Sequence, residues 1–197
     1  ILDNLKNIIE YKEKYPKEIT LLLGNHDFAY IDQHCGTSGY NWRCAYDYRQ
    51  LFLQKHNLFQ VAWGYKNSDT NRYTLATHAG LTTTYYNNYI KPKLDNPESA
   101  LNKFLDGVKT KHLHKILNYM RNDQDLWKVG AMRGGMGTPG PLWADYDELI
   151  KDNYKGINQI YGHTAENTIC INNIDGDLLV KVDGNLKGST ASIILDL

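Results

Sequence analysis

Three β-prone runs in this chain each end at a histidine close to a glycine. Ile19-Thr20-Leu21-Leu22-Leu23 leads into Gly24-Asn25-His26-Asp27, Thr74-Leu75-Ala76-Thr77 leads into His78-Ala79-Gly80-Leu81, and Ile157-Asn158-Gln159-Ile160-Tyr161 leads into Gly162-His163-Thr164. A glycine after a buried strand lets the backbone turn sharply. The side chains that follow are then presented at the strand's carboxyl end, where open α/β sheets build their sites. Neighbouring strands bring their ends together, so the repetition predicts one polar site made from several strand ends.

The residue types at those ends suit metal chemistry. Asn25 offers a neutral oxygen, His26 a ring nitrogen that can carry or give a proton, and Asp27 a carboxylate. Asn25, His78 and His163 together supply one oxygen and two imidazoles, a mixed set that fits Mn, Fe or Zn better than Ca or Mg. The Asn25, His26 and Asp27 set suits a metal-assisted hydrolase. The other four histidines lack this context: His112 and His114 sit in helical sequence at a spacing that faces them apart, and His34 and His56 read as surface residues.

The 197 residues suffice for one compact domain with a sizeable core, and 1–197 is read as a single domain. Lys plus Arg number 22 and Asp plus Glu number 22, so no strong field points to nucleic acid or anionic membrane as the main partner. Cys35, Cys44 and Cys170 form no CxxC or zinc-like spacing and are read as free thiols of a reducing, cytoplasmic compartment. No apolar stretch reaches the ~18 residues of a membrane span.

Leu2, Leu5, Ile8 and Ile9 predict an amphipathic helix from the first residues to about Tyr15-Pro16, followed by the strand to Leu23. A polar, glycine-containing segment runs from Ile31 to Asn41. A helix is expected over Arg43 to His56, and strands over Leu58 to Tyr65 and Arg72 to Thr77, with a hairpin turn at Asn67 to Asn71. Asn96-Pro97-Glu98 reads as a helix start, with helical pattern to about Met120 and a break near Gly107. Gly130 to Gly140 is a glycine-rich loop holding Arg133, and Leu142 to Ile150 is mixed apolar. Four carboxyl-terminal strands are expected: Ile157 to Tyr161, Thr168 to Ile174, Leu178 to Val182 and Ala191 to Leu195, with Asp175-Gly176-Asp177 as a turn.

The ordered set GNHD, THAGL and YGHT resembles the calcineurin-like metallophosphoesterase family, and within it the subgroup of serine/threonine protein phosphatases and diadenosine tetraphosphatases. Gly140-Pro141-Leu142-Trp143-Ala144-Asp145 is similar to a segment that bacterial and phage members carry between the two late histidines, and Val182-Asp183-Gly184 resembles the strand and turn after the last one. The resemblance implies an α/β (α+β) fold, a two-layer β-sandwich flanked by helices with the site at strand ends. It also implies residue roles: Asn25 as a metal ligand that also touches substrate phosphate, His78 and His163 as the remaining ligands of that metal, and His26 as the acid that protonates the leaving oxygen. Asp27 fills the acidic position of the same block, and Arg133 is a candidate phosphate clamp, since guanidinium matches phosphate oxygens in a bidentate way.

Two family blocks, GDxxDRG and a DxH ahead of GNHD, are not in this sequence. In the family they lie upstream of the helix that opens this chain, and they supply most of the first metal's ligands. The expectation is a domain lacking its amino-terminal strand-helix portion, with at most one of the family's two metals (Mn, or Fe or Zn) held by ligands present here. The implied activity is phosphomonoester hydrolysis of a phosphoprotein or nucleotide, weak or absent in this chain alone. The alternatives are a nucleotide or dinucleoside polyphosphate hydrolase, or a non-catalytic binding module that kept the fold.

Overall fold

A computed structural model describes residues 2–32, 37–106, 113–165 and 169–183. The chain divides into two compact units, Ile1–Val61 and Ala62–Leu197. Each mixes helix and strand, and the second is built on a five-stranded mixed sheet. His34, Cys35, Gly107, His112, Thr168, Gly184 and the strand expected over Ala191 to Leu195 lie outside the described residues.

The first unit carries helices α1 (Leu2–Lys14), α2 (Asn25–Asp32) and α3 (Ala45–Gln54) around two short parallel strands, β1 (Leu21–Leu22) and β2 (Phe59–Gln60). In α1 an acid opens the first turn and Lys12 and Lys14 close the last, matching the helix dipole. The four-residue apolar face predicted for α1 narrows to Ile9, which is 3 % exposed, whereas Ile8 is 47 % exposed. Consecutive helical residues point about 100° apart, so both cannot face one core. Likewise α3 buries Tyr48 and Phe52, one turn apart, and leaves its apolar residues Tyr46 and Leu53 exposed. Phe52 meets Phe59 of β2 edge to face at 5.2 Å. The strand expected over Ile19 to Leu23 shrinks to two residues, after which Leu23 N donates to Gln60 O at 2.8 Å and the side chain is fully buried.

In the second unit the strand order is β3-β4-β5-β7-β6, with β3 (Ala62–Lys66), β4 (Tyr73–Thr77), β5 (Asn158–Tyr161), β6 (Cys170–Ile174) and β7 (Asp177–Lys181). The three central strands β4, β5 and β7 are mutually parallel, and each flank is an antiparallel hairpin. Both hairpins follow the turn chemistry of the sequence. Asn67 Oδ1 accepts from the backbone of Asp69 and Thr70 in the first. Asp175 and Gly176, both at positive φ, make a two-residue turn in the second, so that Asp177 already opens β7. The predicted strand Leu58 to Tyr65 is in fact two: β2 belongs to the first unit's sheet and β3 to the second's, with Val61 between them.

Helices of this unit are α4 (Thr83–Tyr85), running through a wide π turn at Tyr86–Ile90 into α5 (Lys91–Asp95), then α6 (Ala100–Asp106), α7 (Leu113–Tyr119) and α8 (Tyr146–Asp152). The wide turn falls just before Pro92, whose ring cannot accept an ordinary helical turn preceding it. The helix start expected at Asn96 falls at Ser99 instead. Asn96 Oδ1 closes a turn onto Glu98 N, and Ser99 Oγ receives Asn102 N at 3.0 Å. Asn118 of α7 clasps both backbone polar groups of Ala62, tying that helix to the head of β3.

Candidate functional site

In the second unit the site begins with strand register. Ala76 of β4 pairs with Ile160 of parallel β5, so the chain leaves both strands at the same end of the sheet, at His78 and His163. Four bonds hold the exit from β4: Gly80 N to Thr77 Oγ1, Ala79 N to Pro141 O, and a reciprocal pair between Leu81 and the fully buried Gln159 amide. The exit from β5 is fixed by Gly162 N donating to His78 O at 2.8 Å. His78 Nε2 and His163 Nδ1 then share a hydrogen bond of 3.1 Å, their rings edge to face, and Trp143 meets the His163 ring edge-on.

His163 has φ of +71°, and Thr164 N bonds to Gly162 O at 2.9 Å. This is a γ-turn of the rare kind with a left-handed centre. A side chain in that region costs about 1–3 kcal/mol and persists only where its surroundings over-determine it. Such strain collects at functional sites. The pair also fits a metal. Two imidazole nitrogens at ~2.0–2.1 Å from one ion and near a right angle to each other lie about 3 Å apart, close to what is found. Among the described residues no group of three or more His, Cys, Asp or Glu gathers as a metal cluster.

Arg133, on the short 3₁₀ turn Ala131–Arg133, reaches the residue after His163. Its Nη2 donates to Thr164 Oγ1 at 2.8 Å and lies 2.9 Å from Asp145 Oδ2. Gly134 follows at φ of +81°, letting the chain turn back so that Gly130 bridges to Gly137. Asp145 caps α8 in a reciprocal box with Glu148, whose other carboxylate oxygen takes Met132 N from the Arg133 turn. The fully buried Lys181 places its ammonium 4.1 Å from the centre of the Tyr146 ring, over its face, at the head of the same helix. Asp145 and Thr164 were not among the sequence-predicted site residues. The spacing Asp145-x-x-Glu148 ahead of an apolar pair was the available signal for the first; none marked the second.

In the first unit Gly24-Asn25-His26-Asp27 is not a loop after the strand but the opening turn of α2. Phe28 N bonds to Gly24 O, and Asp27 Oδ2 accepts from Gly24 N at 2.8 Å, so Asp27 serves as the third-position acid of a helix start. Asn25 is buried at 2 % exposure and His26 is exposed. Burial pushes the Asp27 carboxyl above its ordinary range, against the lowering pull of the Gly24 N–H and of His26. A carboxyl raised on folding favours the folded state while protonated. That contribution is complete below its unfolded pKa of about 3.9 and is lost as pH rises through the folded value. Asp27→Asn keeps an acceptor for Gly24 and removes the charge. Its urea midpoint relative to wild type should therefore improve between about pH 4 and about pH 7; an offset that does not change with pH would contradict this account.

No family model, curated protein or solved structure matches the chain. No helix among the described residues is long and apolar enough to cross a membrane. Cys44 is a free thiol.

Proposed function

We propose that the chain serves in metal-dependent phosphomonoester hydrolysis of the calcineurin-like metallophosphoesterase type, within the β-sandwich fold of that family. The observation that carries the reading is the 3.1 Å approach of His78 Nε2 to His163 Nδ1 at the ends of adjacent parallel strands. By the resemblance to that family, Asn25, His78 and His163 would hold a divalent metal, Mn or else Fe or Zn. When bound, such an ion would supply an ionised water at neutral pH and neutralise charge on the phosphoryl group. Asn25 and Arg133 contact phosphate oxygens. Among the described residues the contacts of Arg133 to Asp145 and Thr164 are both made through Nη2, and in this reading Nη1 and Nε would meet the anion. As the bond from phosphorus to the leaving oxygen breaks and water's oxygen takes its place, His26 protonates the departing alkoxide. Asp27 orients the turn that carries His26.

Asn25, His78 and His163 are all neutral, so they offset little of a dication's lost hydration and the affinity is expected to be weak. The test is Mn(II) titration followed by electron paramagnetic resonance, together with phosphate release from an aryl phosphate. Weak Mn binding that disappears in His78→Ala, with slow, Mn-dependent turnover suppressed by chelator, is the expected result. Mn binding that His78→Ala leaves unchanged would remove the basis of the proposal. Phosphopeptides compared with dinucleoside polyphosphates as substrates then separate a protein phosphatase from a nucleotide hydrolase.

A further inference from the structure

Thr164 is where three segments of the second unit meet. Its Oγ1 accepts from Arg133 Nη2 at 2.8 Å and from Tyr146 N at 3.1 Å, and donates to Asp145 Oδ2 at 3.4 Å. A hydroxyl has one hydrogen and two lone pairs, so all of its capacity is used. The partners come from the Arg133 turn, the cap of α8 and that helix's first residue, while the backbone of Thr164 closes the strained γ-turn on Gly162.

We propose that Thr164 is a positioning residue for anion recognition: its hydroxyl holds the Arg133 guanidinium beside the His163 turn and helps keep His163 left-handed. One side chain thus sets both the cation that meets phosphate and the ring that meets metal. The proposal rests on the reading of Arg133 as a phosphate contact, and it concerns how that contact is oriented. Thr164→Val removes only the hydroxyl and preserves shape; Thr164→Ser keeps the hydroxyl.

The full chain is compared as wild type, Thr164→Val, Thr164→Ser, Arg133→Ala and the Thr164→Val/Arg133→Ala double variant. The first readout is nitrogen NMR of the Arg133 guanidinium, which reports whether its rotation is restrained. The second is binding of inorganic phosphate by calorimetry with Mn present. Wild type and Thr164→Ser should show a restrained guanidinium and equal phosphate affinity. Thr164→Val should release the guanidinium and weaken phosphate by about tenfold, the size of one charge-assisted hydrogen bond. The double variant should bind no more weakly than Arg133→Ala. If Thr164→Val leaves Arg133 restrained and phosphate affinity unaltered while Arg133→Ala weakens it, the positioning role is wrong and the clamp survives. If Arg133→Ala itself leaves phosphate affinity unaltered, the clamp fails and the proposal with it. Thermal melts of the two Thr164 variants separate lost positioning from lost folding.

Discussion

His163→Gly is expected to abolish Mn binding while leaving the fold nearly as stable as wild type. The two halves of this expectation come from one observation, the φ of +71° at His163. An L side chain in that region costs about 1–2 kcal/mol, which glycine does not incur. Glycine gives back about 0.5–1 kcal/mol through the greater freedom of the unfolded chain. The bond to His78 is worth a further ~1 kcal/mol, and its loss acts in the same direction. The terms nearly cancel, so the urea midpoint should move by no more than the equivalent of about 1 kcal/mol. Metal affinity has no such compensation. Loss of a mere outer-shell partner of a ligand typically costs 10–100-fold, and loss of the ligand itself should exceed about 100-fold. Calorimetric Mn titration and urea unfolding on the same preparation measure both. A histidine kept for packing would give the reverse pattern, a destabilised protein whose Mn affinity is unaltered, and that outcome would end the metal-ligand reading.

The second large effect is on stability. Gly80 has φ of +94°, and a Cβ placed there would lie 2.4 Å from Leu149 Cδ2. Leu149 is fully buried, packed with Tyr161 and Leu179 under α8. Gly80→Ala therefore meets both a strained backbone and a closed core, and is expected to destabilise by about 2–4 kcal/mol. Leu149→Ala should cost about 2–5 kcal/mol through its cavity. The two changes are coupled, because the shorter side chain at 149 removes the atoms that the new methyl strikes. The double variant should be more stable than the sum of the single losses implies, by at least about 1 kcal/mol. Strict additivity in urea unfolding would show that strain at φ, not contact with Leu149, dominates at Gly80.

Much of the second unit was legible before its structure was known. The hairpin turns were readable because turn chemistry is local: Asn67 bonds to the backbone two and three residues on, and Asp175-Gly176 supplies the two positive φ values of a tight turn. Strand ends at His78 and His163 were readable for the same reason, since each β-rich run stops close to a glycine. The opening turn of α2 was not read as helix. Asn, His and Asp in sequence look like a loop, and only the bond from Gly24 N to Asp27 reveals a helix start. The helix from Thr83 to Asp95 carried no assignment, because its wide turn breaks the 3.6-residue spacing on which helix reading depends.

The sequence by itself determined where β-structure stops and which polar side chains stand at those stops, because alternation, glycine and turn residues act within a few positions of the chain. The tertiary structure alone decided pairing. Leu58 to Tyr65 reads as one strand, yet its halves bond to different partners, β2 to β1 and β3 to β4. His78 meets His163 only because β4 lies beside β5, although 85 residues separate the two rings along the chain. The three partners of Thr164 converge for the same reason. A backbone N–H or a hydroxyl carries no local mark of the partner that satisfies it, and that choice is made when distant segments pack and every buried polar group must find one.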